Sequence, residues 1–320
     1  MAKMDIPETR IGSMGSTIPL IGFGTASSVL APSESLKPSV LNAIRLGYRH
    51  FDTAAFYNSE HCLGEAVAEA LSLGLIKSRN DLFITSKLWC SDAHSDRVLP
   101  ALQNTLKNLG TEYVDLYLIH FPVSLKPGSR GITFPAEDVL LMDFKSVWEA
   151  MEKCHNLGLS KNIGVSNFSS KKLETILSFA KIPPAVNQVE LNPLWQQKKL
   201  QEYCKKNNVH LSGFSPLGAP NTWWGNNRVL DSEVLNSIAK AKGKTVAQVC
   251  LRWCHQQGAS VIVKSFSEER MVENLEIFDW ELSAEECRKI EQIPQQKGYT
   301  AHHFISPQGP YKSFEQFWDE

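Results

Sequence analysis

Asp52, Tyr57 and Lys87 are the residues of this chain whose types and spacing point most directly to chemistry. Asp52 lies near the end of the apolar run 48–53 (YRHFDT), Tyr57 sits in the loop just beyond it, and Lys87 follows the run 82–86 (LFITS). Between the runs, Leu63, Val67, Ala70 and Leu71 recur near helical spacing, which predicts a helix over 59–73. Strand, helix and strand in this order make a parallel pair, so the acid and the lysine meet at neighbouring strand ends with the tyrosine beside them. An ammonium beside a phenol favours the phenolate and is expected to lower the tyrosine pKa. A carboxylate would hold that lysine in place and charged. The expected product is a tyrosine able to donate a proton near neutral pH. Taken singly, an Asp at a strand end is usually a cap or turn residue, a Lys a solvated charge and a Tyr a packing ring. The joint placement carries the functional reading.

These side chains need a scaffold that brings strand ends together. Short apolar runs recur at 20–24, 48–53, 82–86, 114–120, 161–166, 185–190, 209–214 and 260–264. They are near-continuously apolar, as parallel strands buried on both faces are. Helical patterns follow at 35–46, 59–73, 96–109, 144–157, 169–180, 197–206, 232–242, 246–256 and 268–275. Thr245 with Gln248, and Ser283 with Glu286, fit the capping box. Eight alternations predict an α/β fold of the (β/α)8 TIM barrel type, one domain over 1–320. Residues 10–19 read as an N-terminal β-hairpin turning at Gly15-Ser16. Gly22-Phe23-Gly24 stops short of a Rossmann phosphate loop. Long loops at 122–143 and 216–231 follow the fourth and seventh strands, on the face where barrels keep their sites. The tail 294–320 lacks periodicity but holds Tyr299, Phe304, Tyr311, Phe314, Phe317 and Trp318, too many rings for a free tail.

A net charge of −1 gives no reason to expect a nucleic-acid or acidic-membrane partner. No apolar run is long enough to span a bilayer. The opening MAKMDIPETR lacks the apolar core of a signal peptide. The 7 Cys include no C-x-x-C pair, which suits small thiols in a reduced, cytoplasmic protein. Cys250 and Cys254 with His255 could be imagined as metal ligands, but Leu251 and Trp253 mark a packed helix, and no metal is expected.

In a barrel, the strand ends present Thr25, Asp52, Lys87, His120, Ser166, Asn167, Gln188, Glu190, Asn192, Phe214, Ser215, Lys264 and Ser265 to one mouth. A histidine ending an apolar strand is usually a hydrogen-bonded core residue. His120 shares a rim with Asp52, Tyr57 and Lys87, so a neutral imidazole orienting a substrate carbonyl is the better reading.

The segments GYRHFDTAAFYNSE, ITSKLW, LIHFP, IGVSNF, VNQVE, FSPLG and VKSFSEERMVEN strongly resemble the aldo-keto reductases, and the match covers essentially the whole chain. The resemblance implies a barrel that binds NADPH in extended form and a catalytic set of Asp52, Tyr57, Lys87 and His120. It implies Ser166, Asn167 and Gln188 at the carboxamide, Phe214 stacked on the nicotinamide, and Ser215 and Leu217 at the pyrophosphate. Lys264, Ser265 and Arg270 would hold the 2′-phosphate, and Glu273 and Asn274 the adenine; Thr25 and Phe266 are counted with the same site. Within the family the chain looks most like a plant branch of polyketide, codeinone, methylecgonone and galacturonate reductases. Two departures stand out. Phe121 follows His120 where many members have Trp, and Ile-Val precedes Lys264 where many have Ile-Pro.

The expected activity is NADPH-dependent reduction of a small-molecule carbonyl, an alkaloid ketone before others, by a monomer. Phe56, Trp89, Phe121, Trp223 and Trp224, with His120, are expected to line a pocket for a bulky, partly aromatic substrate; core packing of the same rings is the alternative. Competing functions are a reductase working beside a polyketide synthase, a general aldehyde or sugar-acid reductase, and a non-catalytic NADPH-binding sensor subunit.

Overall fold

In the computed structural model, which describes residues 6–12, 15–26, 34–129, 131–220, 222 and 224–319, eight strands close into a parallel barrel. They are β1 (Ile21–Gly24), β2 (His50–Asp52), β3 (Phe83–Leu88), β4 (Leu116–Ile119), β5 (Ile163–Ser166), β6 (Val186–Glu190), β7 (His210–Phe214) and β8 (Ser260–Val263). Each pairs with the next, and β8 pairs back onto β1 with Val261 opposite Ile21. The (β/α)8 expectation holds, and every expected strand is present. The boundaries shift by one or two residues, and the shift that bears on the site puts Lys87 inside β3 rather than beyond it.

Side chains alternate across each strand. On β2, Asp52 and His50 point inward and Phe51 packs under the helices. On β3, Lys87 and Thr85 point inward. Ser86 points outward, to the carboxylate of Glu60 on helix Glu60–Ser72, at 2.7 Å. Gly22 of β1 makes room for the inward histidine, since a Cβ there would lie 2.7 Å from His50 Nδ1.

Helices wrap the barrel where periodicity places them. Helix Val98–Leu109 buries Val98, Leu102, Leu106 and Leu109, one stripe at helical spacing. Each such side chain contributes about 1.5–3 kcal/mol when fully buried. Both expected capping boxes form, at Thr245/Gln248 and Ser283/Glu286. The hairpin pairs Glu8–Ile11 with Ser16–Pro19 and closes the amino end of the barrel. There Ile11 and Ile18 pack on Phe83, Leu116 and Val186. Ser16 pairs with Ile11 and so belongs to the second strand of the hairpin, not to the turn expected at Gly15-Ser16.

At the opposite, carboxyl end, the loop after β4 carries a short antiparallel pair, Ser124–Leu125 with Val139–Leu140. The aromatic tail folds across this face. Phe304, Phe317 and Trp318 are buried against Trp89, Phe121 and Val123, and Tyr311 donates its hydroxyl proton to Pro122 O at 3.0 Å.

Candidate active site

The carboxyl ends of β2, β3 and β4 bring Asp52, Lys87 and His120 together, and the short 3-10 turn Ala55–Tyr57 swings Tyr57 back over them. Lys87 is fully buried. Its Nζ donates to Asp52 Oδ1 at 2.6 Å, to Thr53 O at 3.0 Å and towards the Tyr57 hydroxyl at 3.4 Å. The Tyr57 hydroxyl lies 3.4 Å from His120 Nε2. The four residues expected from the sequence thus form one contiguous array. Thr25, just past β1, steadies it by donating its hydroxyl proton to Asp52 O at 3.0 Å.

The electrostatics differ from expectation at Tyr57. Its ring keeps a partly open edge at the mouth, but the hydroxyl is enclosed. Burial pushes the phenol pKa well up, and the negative charge of Asp52 acts in the same direction. The expectation that Lys87 lowers the tyrosine pKa is therefore corrected. The ammonium is already matched by a carboxylate 2.6 Å away, which cancels most of its pull on the phenol. Tyr57 is held as a protonated phenol, the form a proton donor needs. Burial lowers the Lys87 pKa, with Asp52 opposing. Burial and then Lys87 push the His120 pKa well down, so the imidazole is neutral, as expected.

Gln188 on β6 reaches across the barrel, and its Nε2 donates to Asp52 Oδ2 at 2.8 Å. Asn167, in a left-handed conformation just after β5, donates from Nδ2 to His120 O at 3.0 Å and Ser166 Oγ at 3.1 Å. Ser166 in turn donates to Gln188 O at 2.8 Å. Among the described residues nothing donates to Asn167 Oδ1 or Gln188 Oε1. Two fixed amide oxygens with no donor of their own are what a carboxamide NH2 requires.

Phe214 ends β7 half-buried, and Ser215 follows with a φ of 49°. The two are joined by Leu217 along the rim. Beyond β8, Lys264 Nζ donates to Ala26 O at 2.7 Å, Ser265 is half-buried, and Phe266 and Arg270 are exposed. Neither Lys264 nor Arg270 has a carboxylate partner among the described residues. Two cations left unmatched along one rim suit a phosphate group. Glu273 is half-buried on helix Glu268–Leu275, and Asn274 is turned inward, buried near the hydroxyl of Tyr48. These residues fit an extended dinucleotide cofactor.

On the other side of the mouth, Phe56 stacks on Trp89 with centroids 3.9 Å apart, and Phe121 stacks on His120 at 5.1 Å. Trp89 and Phe121 are buried in one apolar cluster with Phe304 and Phe317, the core packing named as the alternative, and Phe56 is half-buried against it. Trp224 is half-buried in the loop after β7, and Trp223 lies outside the described residues. Sequence reasoning missed Tyr299 and Phe304 as parts of this cluster; they sit 5.8 and 5.2 Å from Phe121. The aromatic density of the tail was the available signal, but without a period it carried no position.

The Aldo/keto reductase family model matches residues 20–295. A (1S)-1,7-diacetoxy-luvungin A aldo-keto reductase of Citrus sinensis is 63% identical over 316 residues, 98% of each chain. An NADPH-dependent codeinone reductase 1-4 of Papaver somniferum is 59% identical over 320 residues, covering 100% of this chain and 99% of its own. Among solved structures, the Bombyx mori aldo-keto reductase in complex with NADP superposes with a TM-score of 0.82 at 34% identity, covering 91% of this chain and 94% of that one.

Proposed function

The chain belongs to the aldo/keto reductase family and is an NADP-dependent reductase, and on that premise we propose that it reduces a bulky ketone of plant specialised metabolism, an alkaloid ketone first. The observation that carries the proposal is the Tyr57 hydroxyl set 3.4 Å from both Lys87 Nζ and His120 Nε2, beside the stacked rings of Phe56 and Trp89. When bound, NADPH supplies a hydride. Tyr57 gives its proton to the carbonyl oxygen as negative charge develops there. Lys87, charged and close to that hydroxyl, stabilises the tyrosinate left behind. Asp52 holds Lys87, and Gln188 holds Asp52. His120, neutral, donates one hydrogen bond from Nε2–H to the carbonyl oxygen and so fixes its direction.

In this reading Ser166, Asn167 and Gln188 meet the carboxamide and Phe214 the nicotinamide face. Ser215 and Leu217 flank the pyrophosphate, Lys264, Ser265, Phe266 and Arg270 the phosphate end, and Glu273 and Asn274 the adenine. Phe56, Trp89, Phe121 and Tyr299, backed by the fully buried Phe304, wall the substrate side and include no carboxylate. A substrate amine would therefore meet ring faces, where a cation–π contact contributes about 0.5–2 kcal/mol. A substrate akin to the diacetoxy-luvungin A in the Citrus relative's name is a second reading, favoured by that relative's higher identity. The same proposal takes residues 1–320 as one domain, acting as a cytoplasmic monomer without nucleic-acid or membrane partners. No helix among the described residues is long and apolar enough to cross a membrane.

The test is turnover with NADPH of codeinone, polyketides, sugar acids and simple aldehydes, followed by loss of NADPH absorbance and product mass. Fastest turnover of a polycyclic ketone is expected. Turnover confined to sugar acids or small aldehydes would overturn the ketone assignment. NADPH binding with no turnover of any carbonyl would favour the sensor reading.

A further inference from the structure

Glu190 closes β6 two residues after Gln188, on the same inward face, yet it touches none of Asp52, Tyr57, Lys87 or His120. It is 6% exposed and forms no salt bridge among the described residues, although the charge of Lys297 acts on it. Its carboxylate instead receives the backbone of the tail. Gly298 N donates to Oε1 and Oε2 at 3.1 Å each, and Tyr299 N donates to Oε2 at 2.9 Å. The approach is close enough that a Cβ on Gly298 would lie 2.5 Å from Glu190 Oε1. The loop after β6 continues the junction: Gln296 N donates to Leu194 O at 2.7 Å, and Gln196 N to Gln295 Oε1 at 2.6 Å.

The consequence lies one residue further along the tail. Tyr299 leaves the clamp to pack at 5.8 Å on Phe121, which is stacked on His120. Asn167, Phe214, Glu190 and Tyr299 line one cleft. A charged group buried this deeply is costly unless its hydrogen bonds are made, so the carboxylate and the tail backbone hold each other in one position.

We propose that Glu190 is a positioning residue that sets substrate size preference, by clamping the Gly298–Tyr299 backbone so that the Tyr299 ring completes the wall beside Phe121 and His120. This rests on the carbonyl-reductase reading of the site. A large ketone needs the whole wall; a small aldehyde reaches only the bottom of the pocket, at His120 and Tyr57.

The experiment compares kcat/KM for 2-decalone and for propanal, with saturating NADPH, in the wild type, Glu190→Gln and Gly298→Ala. Gln keeps the shape but faces one backbone donor with its own NH2; Ala at 298 displaces the tail from the other side of the clamp. Both variants should lower the 2-decalone to propanal ratio about tenfold or more, mainly through KM for the ketone, the scale of losing pocket contacts. The dissociation constant for NADPH should stay near that of the wild type in both. An unchanged ratio in Gly298→Ala, or a proportional loss with both carbonyls, would assign Glu190 to the fold alone and overturn the proposal. Should Glu190→Gln fail to fold, Gly298→Ala decides. Failure of the wild type to reduce either carbonyl would instead overturn the reductase reading, which separates the two failures.

Discussion

Gln188 Nε2 donates to Asp52 Oδ2 at 2.8 Å, taking the carboxylate oxygen that Lys87 leaves unused. The bond joins β6 to β2 across the barrel mouth. It ties the residues proposed to meet a carboxamide to the carboxylate that holds the lysine. Gln188→Leu would leave that oxygen buried without a donor. A loss of about 1.5–3 kcal/mol in unfolding free energy is expected, the range for a hydrogen bond to a charged group. Urea unfolding measures it; an unchanged midpoint would mean that water or a neighbour replaces the amide.

Tyr57→Phe keeps the ring and removes the proton. Reduction should fall about 10²–10⁴-fold, the contribution of a general acid. NADPH binding, read by quenching of tryptophan fluorescence, should be nearly unchanged. Activity close to wild type would remove Tyr57 from the mechanism.

Lys87→Met does more than remove a charge near Tyr57. Lys87 is fully buried against Asp52, so the variant strands a buried carboxylate. Destabilisation of about 3–5 kcal/mol is expected alongside lost activity. Adding Asp52→Asn should recover part of the stability and none of the activity. Equal stability of the single and double variants would show that the pair is not energetically coupled.

Arg270→Ala removes an exposed cation that has no carboxylate partner among the described residues. Affinity for NADPH should weaken by about 1.5–3 kcal/mol, the range for charge-assisted hydrogen bonds, and affinity for NADH should barely change. Titration of both cofactors against both proteins decides. Parallel losses would move Arg270 from the 2′-phosphate to a role in the fold.

His50 opens β2 inside the barrel, with Nε2 3.0 Å from Thr85 Oγ1, and burial lowers its pKa to about 4. His210, which opens β7, is likewise lowered to about 4, by burial and by His50. In the unfolded chain both take up protons near pH 6.5; in the folded chain they resist until about 4. Stability is therefore full above about pH 6.5 and is lost as the pH falls towards 4. For His50 alone the loss would reach about 3 kcal/mol. Urea midpoints between pH 7 and 5, above most carboxylate titration, should fall in the wild type and fall less in His50→Gln. Parallel slopes for the two proteins would rule out the histidine.

The parts of this protein legible in its sequence are those decided by short-range rules. Eight apolar runs, the helical stripes and the Thr245 and Ser283 caps depend on neighbours within a few residues, and they placed Asp52, Lys87 and His120 at adjoining strand ends. Tyr57, a few residues past β2, inherited its position from the same local geometry. Folding decided what happens between elements far apart in the chain. The Gln188–Asp52 bond depends on barrel closure, which sets β6 opposite β2. The tail crosses the mouth where a carboxylate more than one hundred residues upstream, Glu190, meets the bare backbone of Gly298 and Tyr299. The direction of the Tyr57 pKa belongs with these. The sequence shows a lysine near a tyrosine, whereas desolvation and the matching of that lysine by Asp52 exist only once the whole mouth is assembled.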